Sequence, residues 1–335
     1  MRTFVRSLVM GFVPLPVVYF LLPLLIYSFP YFFQHIFFLN FVKIPFTDYQ
    51  NLSAYGVGGG FNFYLRFNST ASGKTEAMQL GAWHVFPQSF AGRFPPNSNF
   101  STDEIKEIVR RRDSPIVVYL HGNSFDRTTR HRCELYRILS ALDYHVLAID
   151  YRGYGDSWGR PTEIGVVEDA KAIFKYAREL DPEKPVFFWS HSLGTAVAAR
   201  TVAELSVDGT PPKALVLEAP FNNLPEVIAN HPFSVPFRFL PWFNSTVIEP
   251  LIASGLRFAS DEHVTKISCP MLVFHAQDDH IIPVKLGRKL VDAARAAGRR
   301  VEYVEFEAKR RFLHKYMHRA EELPTIVKEF FAKSQ

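Results

Sequence analysis

Six short runs of apolar, largely β-branched or aromatic residues constrain this chain more than any other feature. They lie at Ile116–Leu120, His145–Asp150, Val186–Trp189, Ala214–Leu217, Met271–Phe274 and Val301–Phe306. Segments with helical apolar spacing alternate with them, near Arg130–Leu142, Glu163–Leu180, Leu193–Leu205, Val284–Ala297 and Glu321–Phe331. Such alternation predicts an α/β fold: a mostly parallel sheet with helices on both faces. Phe61–Phe67 and Met78–Phe86 read as a strand pair that opens the sheet. The rhythm breaks from Phe221 to Ser268, a stretch rich in Pro, Phe and Trp. It reads as a cap inserted over the carboxyl ends of the strands, where open α/β sheets bind ligands. The expected division is residues 1–43 as a terminal segment of different character and 44–335 as one domain, with the cap at about 221–268.

Composition narrows the function. Apolar residues make up 47% and charged residues 21%, the balance of a packed domain rather than a disordered chain. The net charge of +5 is scattered, with one dense basic run at Lys309–Arg311. No helix-turn-helix, zinc or aromatic-plus-basic motif accompanies it, so nucleic acid is not an expected partner. Cys133 and Cys269 lack metal-ligand spacing and read as buried free thiols. No metal or cofactor is expected.

Between Arg6 and Lys43 there is no Asp, Glu, Lys or Arg. One apolar helical span needs about 20 residues, so this run is long enough. Arg2 and Arg6 precede it, and the positive-inside rule then places the N-terminus in the cytosol. Bulky aromatics continue through Phe29–Phe33, which suits an uncleaved anchor rather than a cleavable signal peptide. Pro14, Pro16, Pro23 and Pro30 would kink such a helix, and Ile36–Phe41 also fits a re-entrant or interfacial stretch. The rest of the chain would lie in the lumen or outside the cell. Four N-x-S/T sequons, at Asn51, Asn68, Asn99 and Asn244, fall on that side.

The chemistry centres on Ser190-His191-Ser192-Leu193-Gly194, between a predicted strand and a predicted helix. Small residues two places either side of Ser192 permit a sharp turn that exposes its hydroxyl. Ser192 is therefore the candidate nucleophile, with a helix N-cap serine as the bland alternative. Ser190 stands where the common pattern has glycine. A serine hydroxyl needs a general base, and the base needs an orienting carboxylate. After Met271–Phe274 come Asp278 and Asp279, of which Asp279 is the preferred acid and Asp278 the alternative. After the last strand His314 is the candidate base, while His318, one turn further on, reads as a surface residue. Chain order is Ser, Asp, His, each group following its own strand. The strand Ile116–Leu120 ends in His121-Gly122-Asn123, and the backbone N–H groups of Asn123 and Leu193 are the candidate oxyanion donors, with Gly122 as the alternative to Asn123. In the cap, Phe233, Phe237, Phe239, Trp242 and Phe243 are candidates for an acyl-chain tunnel or for simple core packing. Tyr151–Ser157 lacks the glycine spacing of a nucleotide loop and reads as a tight turn. His121 and Asp126 match the H-x4-D spacing of some acyltransferases, a short pattern that recurs by chance.

At these residues the chain resembles the α/β-hydrolase-domain proteins, specifically the membrane-bound lysophosphatidylserine and monoacylglycerol lipases of their twelfth subfamily. The similarity runs along nearly the whole chain, through Ile36–Val42, Leu80–His84, Tyr144–Val146, Asp150–Gly153, His191–Thr195, His231–Val235, Ile267–Pro270 and His314–Tyr316. It implies the α/β-hydrolase fold and an integral endoplasmic-reticulum protein with a lumenal catalytic domain. It also implies a lipid ester substrate, with water as co-substrate, cleaved through an acyl-enzyme intermediate. Two departures stand out. Ser190 replaces the elbow glycine, and Ser124-Phe125-Asp126-Arg127 is bulkier and more charged than the family's small residues beside the oxyanion site. They keep a second class open, a catalytically silent fold relative that binds a lipid or a protein partner. An acyltransferase on the same triad is a third reading.

Overall fold

The computed structural model describes residues 21, 24–90, 92–94, 100–111 and 113–334. Among them, eight strands form one sheet: β1 (Gly60–Ser69), β2 (Glu76–Val85), β3 (Ile116–Leu120), β4 (His145–Ile149), β5 (Val186–His191), β6 (Ala214–Glu218), β7 (Met271–Ala276) and β8 (Val301–Phe306). Their spatial order is β1-β2-β4-β3-β5-β6-β7-β8. From β4 to β8 all neighbours are parallel, while β2 runs antiparallel to both β1 and β4. The parallel strands therefore end along one edge. The order reverses around β3, because β4 lies on one side of it and β5 on the other. That switch point is where a doubly wound sheet opens a crevice.

The described helices are α1 (Pro30–Phe38), α2 (Thr102–Arg110), α3 (Arg130–Ala141), α4 (Glu163–Leu180), α5 (Leu193–Val207), α6 (Leu224–Asn230), α7 (Glu249–Ala253), α8 (Ser260–Val264), α9 (Val284–Ala296) and α10 (Leu323–Ala332). Side chains of a strand alternate between faces, and the core divides accordingly. Ile116, Val118 and Leu120 of β3 pack with α2, α4, α5 and α9. Val117 and Tyr119 pack on the other face, with α3 and α10. There Phe331 stacks on Phe187 with ring centroids 3.8 Å apart, tying the C-terminal helix to the central strand. Helix α2, absent from the sequence-based expectation, starts at a capping box in which Ser101 and Glu104 satisfy each other's backbone N–H groups. Strand β5 runs two residues further than its apolar stretch, through Ser190 and His191, because their backbones continue the ladder with β6. Cys133 and Cys269 are buried free thiols.

The segment around residue 40 packs on this domain. Phe38 is fully buried against Phe37 and Phe258. The Asn123 amide donates to the Phe37 carbonyl, and the Tyr154 hydroxyl to that of Phe38. No helix among the described residues is long and apolar enough to cross a membrane. Most of the expected anchor, residues 1–20, lies outside the described residues.

His84 and His145 are fully buried and share a hydrogen bond of 3.0 Å between β2 and β4. Burial holds both below the usual histidine range, His145 at about 3, and does the same to His121 and His191. Above pH ~6.5 these rings are neutral in both folded and unfolded chains. Below it only the unfolded chain takes up the protons, so stability falls as pH drops from about 6.5 towards 3. The urea midpoint is expected to fall between pH 7.5 and pH 5. The fall should be smaller in a His84→Gln/His145→Gln double variant, and an unchanged midpoint in the parent would contradict the assignment.

Candidate active site

The carboxyl edge of the sheet brings together residues far apart in sequence. Strand β5 ends at His191, and Ser192 adopts φ 53°, ψ −119° before α5 begins. A non-glycine residue tolerates this left-handed conformation only where its surroundings dictate it. The Ser192 N–H donates to the Glu218 carbonyl at 2.9 Å, and the Ser192 carbonyl accepts from the Thr195 amide and hydroxyl. A Cβ at Gly194 would collide with the Leu120 carbonyl oxygen, and one at Gly122 would lie 3.1 Å from the Ser192 Cβ. Glycine at both positions lets β3 and the turn approach.

Ser190 fits the turn. It is fully buried, and its hydroxyl donates to the Val216 carbonyl on β6 at 2.9 Å. The elbow therefore accepts serine in place of glycine, with the added polar atom satisfied.

Ser192 Oγ lies 2.9 Å from His314 Nε2, and His314 Nδ1 lies 2.7 Å from Asp279 Oδ2. All three side chains are buried. The other Asp279 oxygen accepts from the Ile281 and Ile282 amides, each at 2.9 Å. Burial opposes ionisation of Asp279, but His314 and the hydrogen bond from His275 outweigh it and hold the carboxyl well below its usual range. Asp278 instead accepts from the Leu313 amide, positioning the loop that carries His314. His318 is buried rather than superficial, with Nε2 2.7 Å from Glu134.

The structure adds residues that motif reading did not find. His275, at the end of β7, has Nε2 2.9 Å from the Ile282 carbonyl and 3.4 Å from Asp279 Oδ2. His191 Nε2 donates to the His314 carbonyl at 2.8 Å. Buried Arg132 donates to the carbonyls of Gly122, Ser124 and Asp126, and so shapes the loop after β3. The one signal in the sequence for His275 was its place at a strand end four residues before Asp279; for Arg132 there was none, since its helical position does not show that it turns back onto the loop after β3. The backbone N–H groups of Asn123 and Leu193 have no acceptor among the described residues, and both residues line the cavity above Ser192.

Asp126 and Arg127, the charged part of the altered loop, turn away from that cavity. Arg127 binds Asp150 and Asp156 and lies under the Tyr49 ring, while Asp126 accepts from Tyr49 and Thr128. His121 is buried and donates to the Gly122 carbonyl, so the H-x4-D pair forms no dyad.

The cavity measures about 500 Å³, within the range of ligand pockets. Its apolar wall corrects the expectation for the cap. Phe237 is 38% exposed and Trp242 half-buried, and neither lines the cavity; the side chain of Phe233 lies outside the described ones. Ile36, Phe37 and Leu39 line it instead, with Phe221, Leu224 and Val227 at the start of the Phe221–Ser268 interval. Short turns follow α6, so aromatic content there carried no periodicity from which facing could be read. Of the sequon residues, Asn68 and Asn244 are exposed, Asn51 is half-buried, and Asn99 lies outside the described residues.

Sheet order and strand-end placement of these side chains define a serine-type α/β hydrolase. A profile described as serine aminopeptidase S33 matches residues 112–257. The lysophosphatidylserine lipase ABHD12 of Macaca fascicularis is 39% identical over 322 residues, covering 95% of this chain and 78% of that one. The human protein ABHD12B is 35% identical over 299 residues, 88% of this chain and 79% of its own. Among solved structures, the Pyrococcus furiosus esterase Pf2001 superposes with a TM-score of 0.61 at 18% identity, covering 87% of this chain and 97% of its own, a likeness of fold. The chain belongs to the ABHD12 family.

Two substitutions separate the demands of the turn. Ser190→Gly removes one buried hydrogen bond and adds chain entropy to the unfolded state, and should cost about 1–2 kcal/mol in urea unfolding. Gly194→Ala forces two backbones apart and should cost more than Ser190→Gly; equal midpoints for the two variants would contradict the packing described.

Proposed function

We propose that this chain is a serine lipase that releases the fatty acid from lysophospholipids such as lysophosphatidylserine and from monoacylglycerols. The observation that carries the reading is the Ser192–His314 hydrogen bond of 2.9 Å beneath a cavity with an apolar wall. The names of the relatives support the substrate class. His314 takes the Ser192 proton as Oγ attacks the ester carbonyl, and Asp279 holds Nδ1–H and offsets the imidazolium charge. The Asn123 and Leu193 amides receive the oxyanion. Collapse of the tetrahedral intermediate expels the glycerol oxygen, which takes the proton from His314. Water, deprotonated by His314, then attacks the acyl-enzyme and frees the fatty acid and Ser192. The reaction needs His314 neutral, so turnover falls on acidification. The silent-relative reading loses its two supports, since Ser190 is satisfied within the turn and the charged loop residues pair away from the cavity.

The same reading places the protein in the endoplasmic-reticulum membrane, single-pass, with a cytosolic N-terminus and a lumenal catalytic domain. Its support is the uncharged run before Lys43, which leads into the segment that walls the cavity. Phe32, Phe41 and Phe46 on that segment are exposed, as suits a lipid-facing surface.

Acyl release across a panel of lysophospholipids and monoacylglycerols tests the activity. Ser192→Ala should lower kcat on the order of 10⁶-fold. A fluorophosphonate probe should label the parent and not the variant; a folded parent that takes no label is the silent module. For topology, glycosidase treatment of protein made in secretory cells should increase gel mobility, through glycans on sequons such as Asn68 and Asn244. Unchanged mobility together with cytosolic protease access to the domain would reverse the orientation.

A further inference from the structure

The cavity above Ser192 carries formal charge of one sign. Arg132 and Lys315 are among its lining residues, and no Asp or Glu is. Arg132 is buried and donates to three backbone carbonyls, with no carboxylate partner among the described residues. A buried cation solvated by backbone carbonyl dipoles, with no carboxylate in direct contact, keeps a positive potential towards the cavity, while the Asp279 charge is engaged by His314. Lys315, next to His314 in sequence, stands exposed at the rim, and its Nζ has no hydrogen-bond or ion-pair partner among the described residues.

Three other cations close by in sequence are paired. Lys309 meets Glu307, Arg310 meets Glu322, and Arg319 meets Glu134. The basic run at 309–311 thus has carboxylates of its own for two of its charges, whereas Lys315 faces the cavity without one. Partial burial and the Arg132 charge push the Lys315 ammonium below the usual lysine range, so a seated anion would relieve both. Across the cavity the wall is apolar, with Phe37, Phe221, Leu224 and Val227 suited to an acyl chain. The histidines on the basic side stay neutral and add no charge of their own. His131 and His191 are both held well below the usual histidine range, burial first and Arg132 among the causes.

Resting on the acyl-ester hydrolase reading, we propose that Lys315, reinforced by buried Arg132, recognises the phosphodiester of a lysophospholipid head group and sets the preference for anionic over neutral monoacyl esters. An ammonium on a flexible stem at the rim can follow the phosphate of a bound substrate, while the rigid guanidinium beneath supplies field without contact. Lys315 acts on binding, so its removal should raise KM more than it lowers kcat.

The test uses the full chain in detergent micelles with lysophosphatidylserine and monoacylglycerol of one acyl chain. The ratio of their kcat/KM values should fall roughly 5-fold in Lys315→Gln, as for a charge-assisted contact at an exposed rim. Lys315→Arg should keep most of the ratio, and Lys309→Gln should leave it unaltered. An unchanged ratio in Lys315→Gln, or an equal fall in Lys309→Gln, overturns the proposal. The contrast is also read without turnover, as Kd for lysophosphatidylserine in Ser192→Ala against Ser192→Ala/Lys315→Gln. An inactive, unlabelled parent that still loses affinity with Lys315 fails the hydrolase reading alone; equal Kd values fail the head-group assignment alone.

Discussion

Everything at the carboxyl edge of this sheet hangs on one strained residue. Ser192 sits at φ 53°, ψ −119°, a conformation that costs about 1–3 kcal/mol for a side chain with a Cβ. The cost is met by hydrogen bonds from both sides, from the Ser192 N–H to the Glu218 carbonyl at the end of β6 and from Thr195 in the first turn of α5 to the Ser192 carbonyl. Glycine at 122 and 194 lets neighbouring backbones close around it. Relaxing the turn would swing the hydroxyl away from His314 and move the Leu193 amide from the end of the helix. Nucleophile, oxyanion donor and helix start are therefore consequences of a single backbone geometry.

Around that turn, support passes from one element to the next. His191 on β5 holds the backbone of His314, and Asp278 holds that of Leu313. His275 on β7 lies against Asp279, and Arg132 on α3 gathers the carbonyls of the loop after β3. Because the fold supplies these contacts from separate strands, the local departures from the family pattern are absorbed. The hydroxyl of Ser190 bonds to β6, and the charge of Arg127 is taken up by Asp150 and Asp156. The N-terminal segment has two faces. Ile36, Phe37 and Leu39 close the cavity, while Phe32 and Phe41 remain exposed.

Much of this was legible in the residues. Short continuous apolar runs, set between segments of helical spacing, located the strands of the sheet to within two residues at either end, since buried parallel strands cannot hide their apolar character. Strand-end chemistry then singled out Ser192, Asp279 and His314, which the structure joins in one hydrogen-bonded chain. Helix α2 was missed because its capping box stands in an otherwise polar stretch. The cavity lining was misread for a different reason. Phe237 and Trp242 lie in a segment of short turns, where hydrophobicity reports burial somewhere but not the direction in which a side chain points.

The chain by itself determined the alternation of strands and helices, the order in which serine, aspartate and histidine arrive, and the small residues that a tight turn requires. These are local properties, governed by backbone sterics and by the period of side chains along one element. Tertiary structure alone decided that residues near 37 wall the cavity and that Arg132 and Lys315 are left without acidic partners in it. Each of those outcomes depends on which distant elements the sheet brings within a few ångströms, and no spacing along the chain encodes that distance.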